Sequence, residues 1–235
     1  MRFEHATGVP SRLRVFLYGH TRSGKTRVAA TFPRPLFVFP RNENGEIALA
    51  GSGIPFVKVA SRDEMNAVLD ELLAANKAGR LNEYGDTIVV ESFTHVARFV
   101  EMELTRSGAR EMKGQWGYMD SFFKHVLDVL WQLDAHVVCT SLASIKASKD
   151  GVILSAGPDM PGKSAGIFAS SADILGYCSQ MSTGQGSIFQ TALIKQGEFD
   201  AGTRIPLMPQ GIYTNFNYPR DIAPYVGVPE QIAAQ

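Results

Sequence analysis

The sequence predicts an α/β domain in which a mostly parallel sheet carries helices on both faces and antiparallel strands toward the carboxyl-terminal end. Short apolar runs typical of buried strands alternate with longer segments whose apolar residues recur every three or four positions. This alternation is typical of a parallel sheet that is covered on both sides. After residue 149, short β-like runs divided by Gly, Ser and Pro favour antiparallel strands instead.

The strands of the parallel part are predicted from apolar runs that are too short to be helices. In chain order these runs cover residues 12–19, 35–40, 54–60, 85–92 and 135–142. The first run ends in a glycine-rich turn, and helix-compatible residues follow at 24–32 until Pro33 stops them.

Two longer helices are predicted from the spacing of their apolar residues. Ser61 begins the first, because Glu64 stands three residues later and completes a capping box. The second begins at Gly117 and continues to Leu133. Residues 93–116 between them are predicted to hold a further helix followed by a mobile loop at 106–115.

The carboxyl-terminal part is predicted to extend the sheet edge with antiparallel strands at 152–156, 174–181 and 187–196. One short helix is predicted within residues 161–172. Because no linker or repeat divides the chain, we expect an amino-terminal arm at 1–11, one domain at 12–218 and a tail at 219–235.

The charge is balanced overall but uneven along the chain. The formal net charge is zero, which gives no long-range attraction to nucleic acid. Residues 1–34 nevertheless carry seven cations against one anion, an excess that suits a polyanionic ligand. Residues 151–235 carry few charges, which favours burial against a partner subunit and therefore self-association.

Cysteine usage and hydropathy bear on the compartment. Cys139 and Cys178 lie within apolar runs and are predicted to be core residues without a disulfide, as expected in a reducing compartment. The sequence has no signal-peptide pattern and no apolar run of membrane-spanning length. We therefore expect a soluble cytoplasmic protein that does not bind a membrane.

Residues 19–26 read GHTRSGKT and match the phosphate-binding pattern G-x-x-x-x-G-K-[ST]. Glycines at both ends let the backbone wrap a phosphate, and successive N–H groups at a helix N-terminus supply positive potential. Lys25 is predicted to reach the β- and γ-phosphates, and Thr26 to bind Mg²⁺. The residues predicted to contact the nucleotide are Gly19, His20, Thr21, Arg22, Ser23, Gly24, Lys25 and Thr26.

A nucleoside triphosphatase also needs an acidic residue at a neighbouring strand end and a group that orients water. Glu91 ends the run TIVVE and is predicted to support Mg²⁺ with Thr26, although aspartate is usual here and Glu91 could merely end a strand. Glu43 and Glu46 follow the second strand and are the candidates for orienting water; exposed solvated carboxylates are the alternative.

Further polar residues are weaker candidates. Thr140 and Ser141 end the fifth strand and could sense the γ-phosphate or satisfy backbone groups. Lys195 and Arg204 could act across a subunit boundary as cations that stabilise transferred charge, or could simply be solvated. The five histidines have no metal-site spacing with cysteine or acidic residues, so no metal other than Mg²⁺ is expected.

One basic and aromatic segment could grip single-stranded nucleic acid by charge and stacking. Glutamates nearby cancel part of this charge, and the aromatic residues could instead seat the following helix. The segment comprises Arg106, Arg110, Lys113, Trp116 and Tyr118.

Several segments together resemble the phage-encoded RecA-like nucleotide-binding proteins, a group that includes the minimal RecA/RadA-core single-strand annealing proteins. The resemblance covers roughly residues 12–212, and its most specific parts are the PGK segment at 161–163 and the AGTR segment at 201–204. It implies a RecA-like core, ATP with Mg²⁺ and self-association as a ring or filament. It also implies single-stranded DNA as a partner, beside a phage single-strand binding protein in the host cytoplasm.

Position by position, the resemblance assigns catalytic roles to Lys25, Glu43, Glu91 and Arg204. The chain departs from the family pattern at Glu91, where aspartate is expected, and at Leu142 and Gly202, where histidine and lysine are frequent. The sequence therefore predicts an ATPase with weak activity that promotes annealing or recombination. A non-catalytic ATP-bound assembly factor and an NTPase that acts on a protein partner remain alternatives.

Overall fold

The computed structural model describes residues 10–106, 112–184 and 186–227, and for residues 112–116 it describes the backbone alone. The strands are β1 Arg14–Gly19, β2 Pro35–Pro40, β3 Phe56–Val59, β4 Thr87–Val90, β5 His136–Ser141, β6 Ala143–Ala147, β7 Ile153–Pro158, β8 Ile174–Thr183, β9 Gly186–Ala192, β10 Gly202–Thr203 and β11 Ile212–Thr214. The α-helices are α1 Lys25–Ala29, α2 Arg62–Lys77, α3 Phe93–Arg106, α4 Met112–Leu130, α5 Ser164–Ser171 and α6 Tyr218–Asp221.

The main sheet has the order β3-β2-β4-β5-β1-β8-β9-β11, and β10 also pairs with β8. Its first six strands run parallel, whereas β9, β10 and β11 are antiparallel to their neighbours. The predicted parallel sheet and its antiparallel carboxyl-terminal extension are both confirmed. Because parallel strands end at the same edge, β1 and β4 place their final residues on either side of the end of β5.

Helices cover both faces of the sheet and define two cores. On one face, α2 to α5 enclose a cluster in which the Phe168 ring lies 5.6 Å from that of Phe16 and 4.6 Å from that of Phe93. On the other face, α1 and the carboxyl-terminal segment pack on β1, β2 and β8. Cys139 and Cys178 are buried with free thiols, as predicted.

The capping box predicted before α2 is present. Ser61 Oγ accepts a hydrogen bond from the Glu64 amide at 3.1 Å, and Glu64 Oε2 accepts one from the Ala60 amide at 2.8 Å. The first contact satisfies an amide group that the first turn of a helix leaves without a partner, and the second joins Glu64 to the residue before the cap.

Two sequence predictions about local structure are wrong. The strand predicted at 152–156 does not extend the main sheet, because β7 pairs with β6 in a separate hairpin while β9 and β10 occupy the free edge of β8. The apolar pattern of a short strand does not specify which edge it joins. The loop predicted at 106–115 is helical from Met112, where α4 begins, and residues 107–111 lie outside the described residues.

The domain boundaries stay predictions. Ile222, beyond the predicted end of the domain, is fully buried against the second core. In the part of the chain that the structure describes, no helix combines the length and the apolar character needed to cross a membrane.

Replacing Phe168 with Ala should lower the free energy of unfolding by about 3–5 kcal/mol, because its ring is 1% exposed and contacts three other aromatic rings. The matched change at Phe56, which is 48% exposed, should cost about 1 kcal/mol or less. Urea denaturation followed by circular dichroism measures both. Equal losses for the two variants would contradict this account of the core.

Candidate nucleotide-binding site

The motif at residues 19–26 forms a tight loop between the end of β1 and the start of α1. The backbone of Arg22 and Gly24 is left-handed, with φ of 63° and 92°. Such turns point successive N–H groups into one concavity, where an anion can bind. A Cβ atom at Gly19 would lie 2.1 Å from the Cys178 carbonyl oxygen, and one at Gly24 would lie 2.9 Å from the Phe189 ring. Neighbouring groups therefore exclude a side chain at both glycines.

Lys25 is buried beneath this loop. Its Nζ donates hydrogen bonds to the carbonyl oxygens of Gly19 at 3.0 Å and His20 at 2.8 Å, and it lies 3.3 Å from Ser23 Oγ. Burial lowers the pKa of Lys25, while the nearby acidic groups of Cys178, Glu91 and Glu43 act in the opposite direction. The ammonium group is thus held at the loop by carbonyl groups.

Glu91 directly follows β4, and its side chain contacts α1. The Thr26 hydroxyl donates a hydrogen bond to Glu91 Oε1, and the peptide bond between Glu91 and Ser92 is cis. Glu91 is 4% exposed, and burial raises its pKa to about 7 although the Thr26 hydrogen bond and the Lys25 charge both lower it. Although the Glu91 side chain is longer than the usual aspartate, it contacts Thr26, the residue predicted to bind Mg²⁺.

Glu43 and Glu46 follow β2 but have different surroundings. Glu43 Oε2 lies 2.6 Å from His95 Nδ1, and its charge affects the pKa of both Lys25 and Glu91. Glu46 instead pairs with Lys58, whose hydrogen bond lowers the pKa of Glu46. Of these two carboxylates, Glu43 is the one beside the buried charges of the site.

The end of β5 also belongs to this edge of the sheet. Val90 pairs with Cys139, so the next residues along these two strands are Glu91 and Thr140. Thr140 Oγ1 is buried and has no hydrogen-bond partner among the described residues. Ser141 Oγ donates to the Leu142 carbonyl at 3.0 Å. Thr140 therefore keeps a free hydroxyl at the site, and Ser141 does not.

Of the two cations predicted in the carboxyl-terminal part, Arg204 is not brought to the loop. Arg204 is exposed; its guanidinium donates to the Ser170 carbonyl, and its amide donates to the Asp173 carbonyl at 2.8 Å. Asp173 precedes β8 and lies at the amino-terminal ends of the parallel strands. The phosphate loop lies at their carboxyl-terminal ends, one strand length or about 17 Å away. Lys195 is exposed and lies 3.7 Å from Asp200.

The predicted nucleic-acid segment is only partly described. Arg106 is exposed at the end of α3, and the Arg62 guanidinium lies 5.4 Å from the centre of the exposed Tyr118 ring. Arg110 and the side chains of Lys113 and Trp116 lie outside the described residues.

Sequence reasoning missed two residues that contact the site. His95 has no metal-site spacing, and no local pattern predicts its contact with Glu43, which lies in a distant part of the sequence. Phe189, on β9, packs on Gly24 and lies 4.8 Å from the Arg27 guanidinium. No local pattern marks Phe189, because the pairing of β8 with β1 and β9 brings it there.

The residues of this edge fit ATP with Mg²⁺. Thr26 and Glu91 offer hard oxygen ligands, the kind that Mg²⁺ prefers. Glu91 Oε2 is buried and has no hydrogen-bond partner among the described residues, so an acceptor remains for the hydration shell of the ion. Lys25 and the loop amides supply the positive groups that phosphates require.

The phosphate loop follows β1, and the acidic residue Glu91 follows β4, which β5 separates from β1 in the sheet. This arrangement in a mostly parallel sheet defines a RecA-like P-loop NTPase. Residues 11–205 match the AAA domain family, and the chain belongs to that family.

One similar solved structure is a KaiC-like protein from the hyperthermophilic archaeon Pyrococcus horikoshii OT3. It is 15% identical, with a TM-score of 0.45, and the match covers 86% of this chain and 84% of that chain. No curated protein matches the chain.

Replacing Glu91 with Gln should stabilise the nucleotide-free protein in alkaline but not in acidic solution. The pKa of Glu91 is about 7 in the folded chain, above its ordinary value of 4.5. A raised pKa contributes stability below the unfolded value and loses it as the pH rises through the folded value. The difference between variant and wild type should therefore grow from near zero at about pH 4 to about 3 kcal/mol at about pH 8.

Urea denaturation at several pH values without nucleotide or Mg²⁺ measures this difference. Glu198→Gln, at an exposed position, is the matched control and should show no such trend. A constant difference between Glu91→Gln and wild type across the pH range would contradict the assignment.

Proposed function

We propose that this P-loop NTPase binds and hydrolyses ATP with Mg²⁺, and that it acts on single-stranded DNA as an oligomer to promote annealing or recombination. One observation carries the nucleotide part of the proposal. Buried Lys25 lies beneath the loop, and the buried Glu91 carboxylate accepts a hydrogen bond from Thr26. Glu43 lies close enough for its charge to act on both Lys25 and Glu91. P-loop enzymes use a cation, a hydroxyl and acidic groups of this kind to hold and cleave a triphosphate.

The roles follow from what each group can donate or accept. Lys25 and the loop amides would hold the β- and γ-phosphates, and Thr26 and Glu91 would hold Mg²⁺, which supplies charge neutralisation on the phosphate oxygens. Glu43 accepts a hydrogen bond from a water molecule and so orients it for attack. The free hydroxyl of Thr140 is available to donate to a phosphate oxygen.

Single-stranded DNA is proposed from the resemblance to the phage annealing proteins and from exposed cations. Lys146 and Lys149 are exposed on the β6–β7 hairpin, which follows β5 at the same sheet edge as the phosphate loop. Phosphate contacts by such residues give binding that weakens with salt. A phage origin and a phage single-strand binding protein as a second partner belong to the same proposal.

Self-association is part of the proposal because the carboxyl-terminal cations predicted to stabilise transferred charge would act from a neighbouring subunit. Arg204 lies at the far sheet edge, and Lys195 faces Asp200. Arg204 could reach a phosphate only from a neighbouring copy in a ring or filament, and the same role is proposed for Lys195. A cation supplied in this way stabilises the charge of the transferred phosphoryl group.

Replacing Lys25 with Ala should lower kcat for ATP hydrolysis by about 100-fold or more, because it removes the buried cation at the phosphate loop. Phosphate release with and without single-stranded DNA measures turnover, and we expect DNA to increase the wild-type rate. Lys77→Ala, at an exposed lysine ending α2, is the control and should behave as wild type.

Nucleotide binding with background turnover, both with and without DNA, would contradict hydrolysis. That result would favour the alternative in which bound ATP only stiffens an assembly.

Replacing Lys146 with Ala should reduce the salt dependence of binding to a single-stranded oligonucleotide. Loss of one phosphate contact should make the slope of log K against log salt shallower by about 0.7. Fluorescence anisotropy across a salt series measures it, with Lys77→Ala as control. An unchanged slope would show that Lys146 does not contact a DNA phosphate.

A protein partner is the second candidate, and a specific observation favours it. The β6–β7 hairpin exposes four aliphatic side chains, which suit a protein surface better than a phosphate backbone. These are Ile145, Val152, Ile153 and Leu154. If the oligonucleotide is not retained even at low salt while ATP is hydrolysed, this candidate replaces the DNA proposal.

A further inference from the structure

The buried side chain of Thr94, in the first turn of α3, joins that helix to the base of the β6–β7 hairpin. Its hydroxyl donates a hydrogen bond to the Asp159 carbonyl oxygen at 2.8 Å and accepts one from the Leu142 amide at 2.9 Å. A hydroxyl has one proton to donate and lone pairs that accept, so this single group serves both partners. Thr94 is 3% exposed, and both contacts are therefore shielded from water.

Leu142 and Asp159 are the residues at the two ends of the hairpin, since Leu142 directly precedes β6 and Asp159 directly follows β7. The Asp159 amide donates to the Leu142 carbonyl at 2.7 Å, so the two ends are bonded to each other as well as to Thr94. The hairpin forms a sheet of its own, and these contacts attach its base to α3. Farther along β7, the Ala156 amide donates to the Glu198 carbonyl at 3.1 Å, which attaches the hairpin to the segment before β10 instead.

Thr94 stands three residues after Glu91, the carboxylate that the proposed function assigns to Mg²⁺. The short segment between them is bonded on both sides. The Glu91 amide donates to the Val38 carbonyl on β2 at 3.0 Å. The Ser92 carbonyl accepts from the Val96 amide of α3 at 3.1 Å. Because the surrounding core is closely packed, a change at one end of this segment is transmitted to the other.

The Glu91 end of the segment has different restraints with and without the nucleotide. In the structure, Glu91 Oε1 accepts a hydrogen bond from Thr26, and the buried Oε2 has no hydrogen-bond partner among the described residues. When Thr26 binds Mg²⁺ and Glu91 Oε2 accepts from the hydration shell of the ion, the carboxylate gains a partner. Binding of the ion with ATP therefore restrains the segment further.

We propose that Thr94 is a positioning residue that couples the nucleotide site to the β6–β7 hairpin, the element proposed to bind the partner. Glu91 gains restraints when ATP and Mg²⁺ bind, and Thr94 passes them to the base of the hairpin, which becomes more rigid. Coupling between two sites is reciprocal, so a partner on the hairpin strengthens nucleotide binding by the same factor. This inference rests on the proposed function, because it requires Mg²⁺ at Glu91. Thr94 itself touches neither the nucleotide nor the partner.

Amide hydrogen exchange of residues 142–159, followed by NMR, tests the coupling without turnover and without an identified partner. Wild type is compared in three states: free, with Mg²⁺ and AMP-PNP, an ATP analogue that is not hydrolysed, and with AMP-PNP and EDTA. We expect Mg²⁺ and AMP-PNP together to slow exchange by about fivefold or more, the lower end of typical coupling between sites. AMP-PNP without Mg²⁺ should change exchange by less than about twofold, because the link passes through Glu91.

The same spectra identify the route in wild type. The Leu142 amide is bonded to Thr94, whereas the Ala156 amide is bonded to Glu198. Leu142 should therefore be slowed more than Ala156. A larger effect at Ala156 would assign the coupling to the other attachment and overturn the role of Thr94.

Substitutions test the Thr94 hydroxyl directly. Thr94→Val keeps the branched shape but removes the donor and acceptor, and Thr94→Ala removes them with the methyl group. Both should lose the slowing, whereas Thr94→Ser retains the hydroxyl and should keep the slowing within about twofold of wild type. Thr105→Val is the matched control, because Thr105 is exposed on the same helix and its hydroxyl donates to the Glu101 carbonyl at 2.9 Å. Calorimetric titration with AMP-PNP and Mg²⁺ identifies the loaded variants, and thermal unfolding identifies the folded ones.

The outcomes separate the two proposals. If wild type binds AMP-PNP with Mg²⁺ and exchange in the hairpin is unchanged, the coupling is wrong while the proposed function stands. Equal slowing without Mg²⁺, full slowing in Thr94→Val and Thr94→Ala, or equal losses in Thr94→Val and Thr105→Val also overturn it. If wild type binds no nucleotide, the proposed function fails and this inference fails with it.

Discussion

The burial of Glu91 against Thr26 is the constraint on which the rest of the site depends. A carboxylate is costly to remove from water, and burial is the largest cause that raises the pKa of Glu91 to about 7. The Thr26 hydroxyl and the buried ammonium of Lys25 are the two largest contributions that oppose that cost. Lys25 and Thr26 begin α1, whereas Glu91 follows β4, a strand that is not adjacent to β1, so the sheet must be assembled before the three groups meet.

The carboxyl-terminal strands complete the phosphate loop as well as widen the sheet. β8 lies against β1, and its Cys178 carbonyl fills the space where a side chain at Gly19 would stand. β9 then brings the Phe189 ring against Gly24. Close packing leaves no room for adjustment here, so the conformation of the loop depends on strands more than 150 residues away.

The groups proposed to act in this protein lie at one edge of the sheet, where the parallel strands have their carboxyl ends. The fold and the family establish a P-loop NTPase. Hydrolysis is a proposal that depends on Glu43, whose charge acts on both Lys25 and Glu91. The β6–β7 hairpin leaves the same edge and carries both lysines and exposed aliphatic residues, so the choice between DNA and protein as partner depends on this one element.

The sequence by itself determined the fold class, the strand order along the chain, the phosphate loop and the acidic residue at the end of β4. These features follow from local patterns, namely glycine spacing, apolar periodicity and polar strand ends. Only the tertiary structure decided that β7 pairs with β6, that Arg204 lies at the amino-terminal ends of the parallel strands, and that His95 lies beside Glu43. The physical reason is that strand pairing brings together residues distant in sequence, and no local pattern records which edge a strand will join.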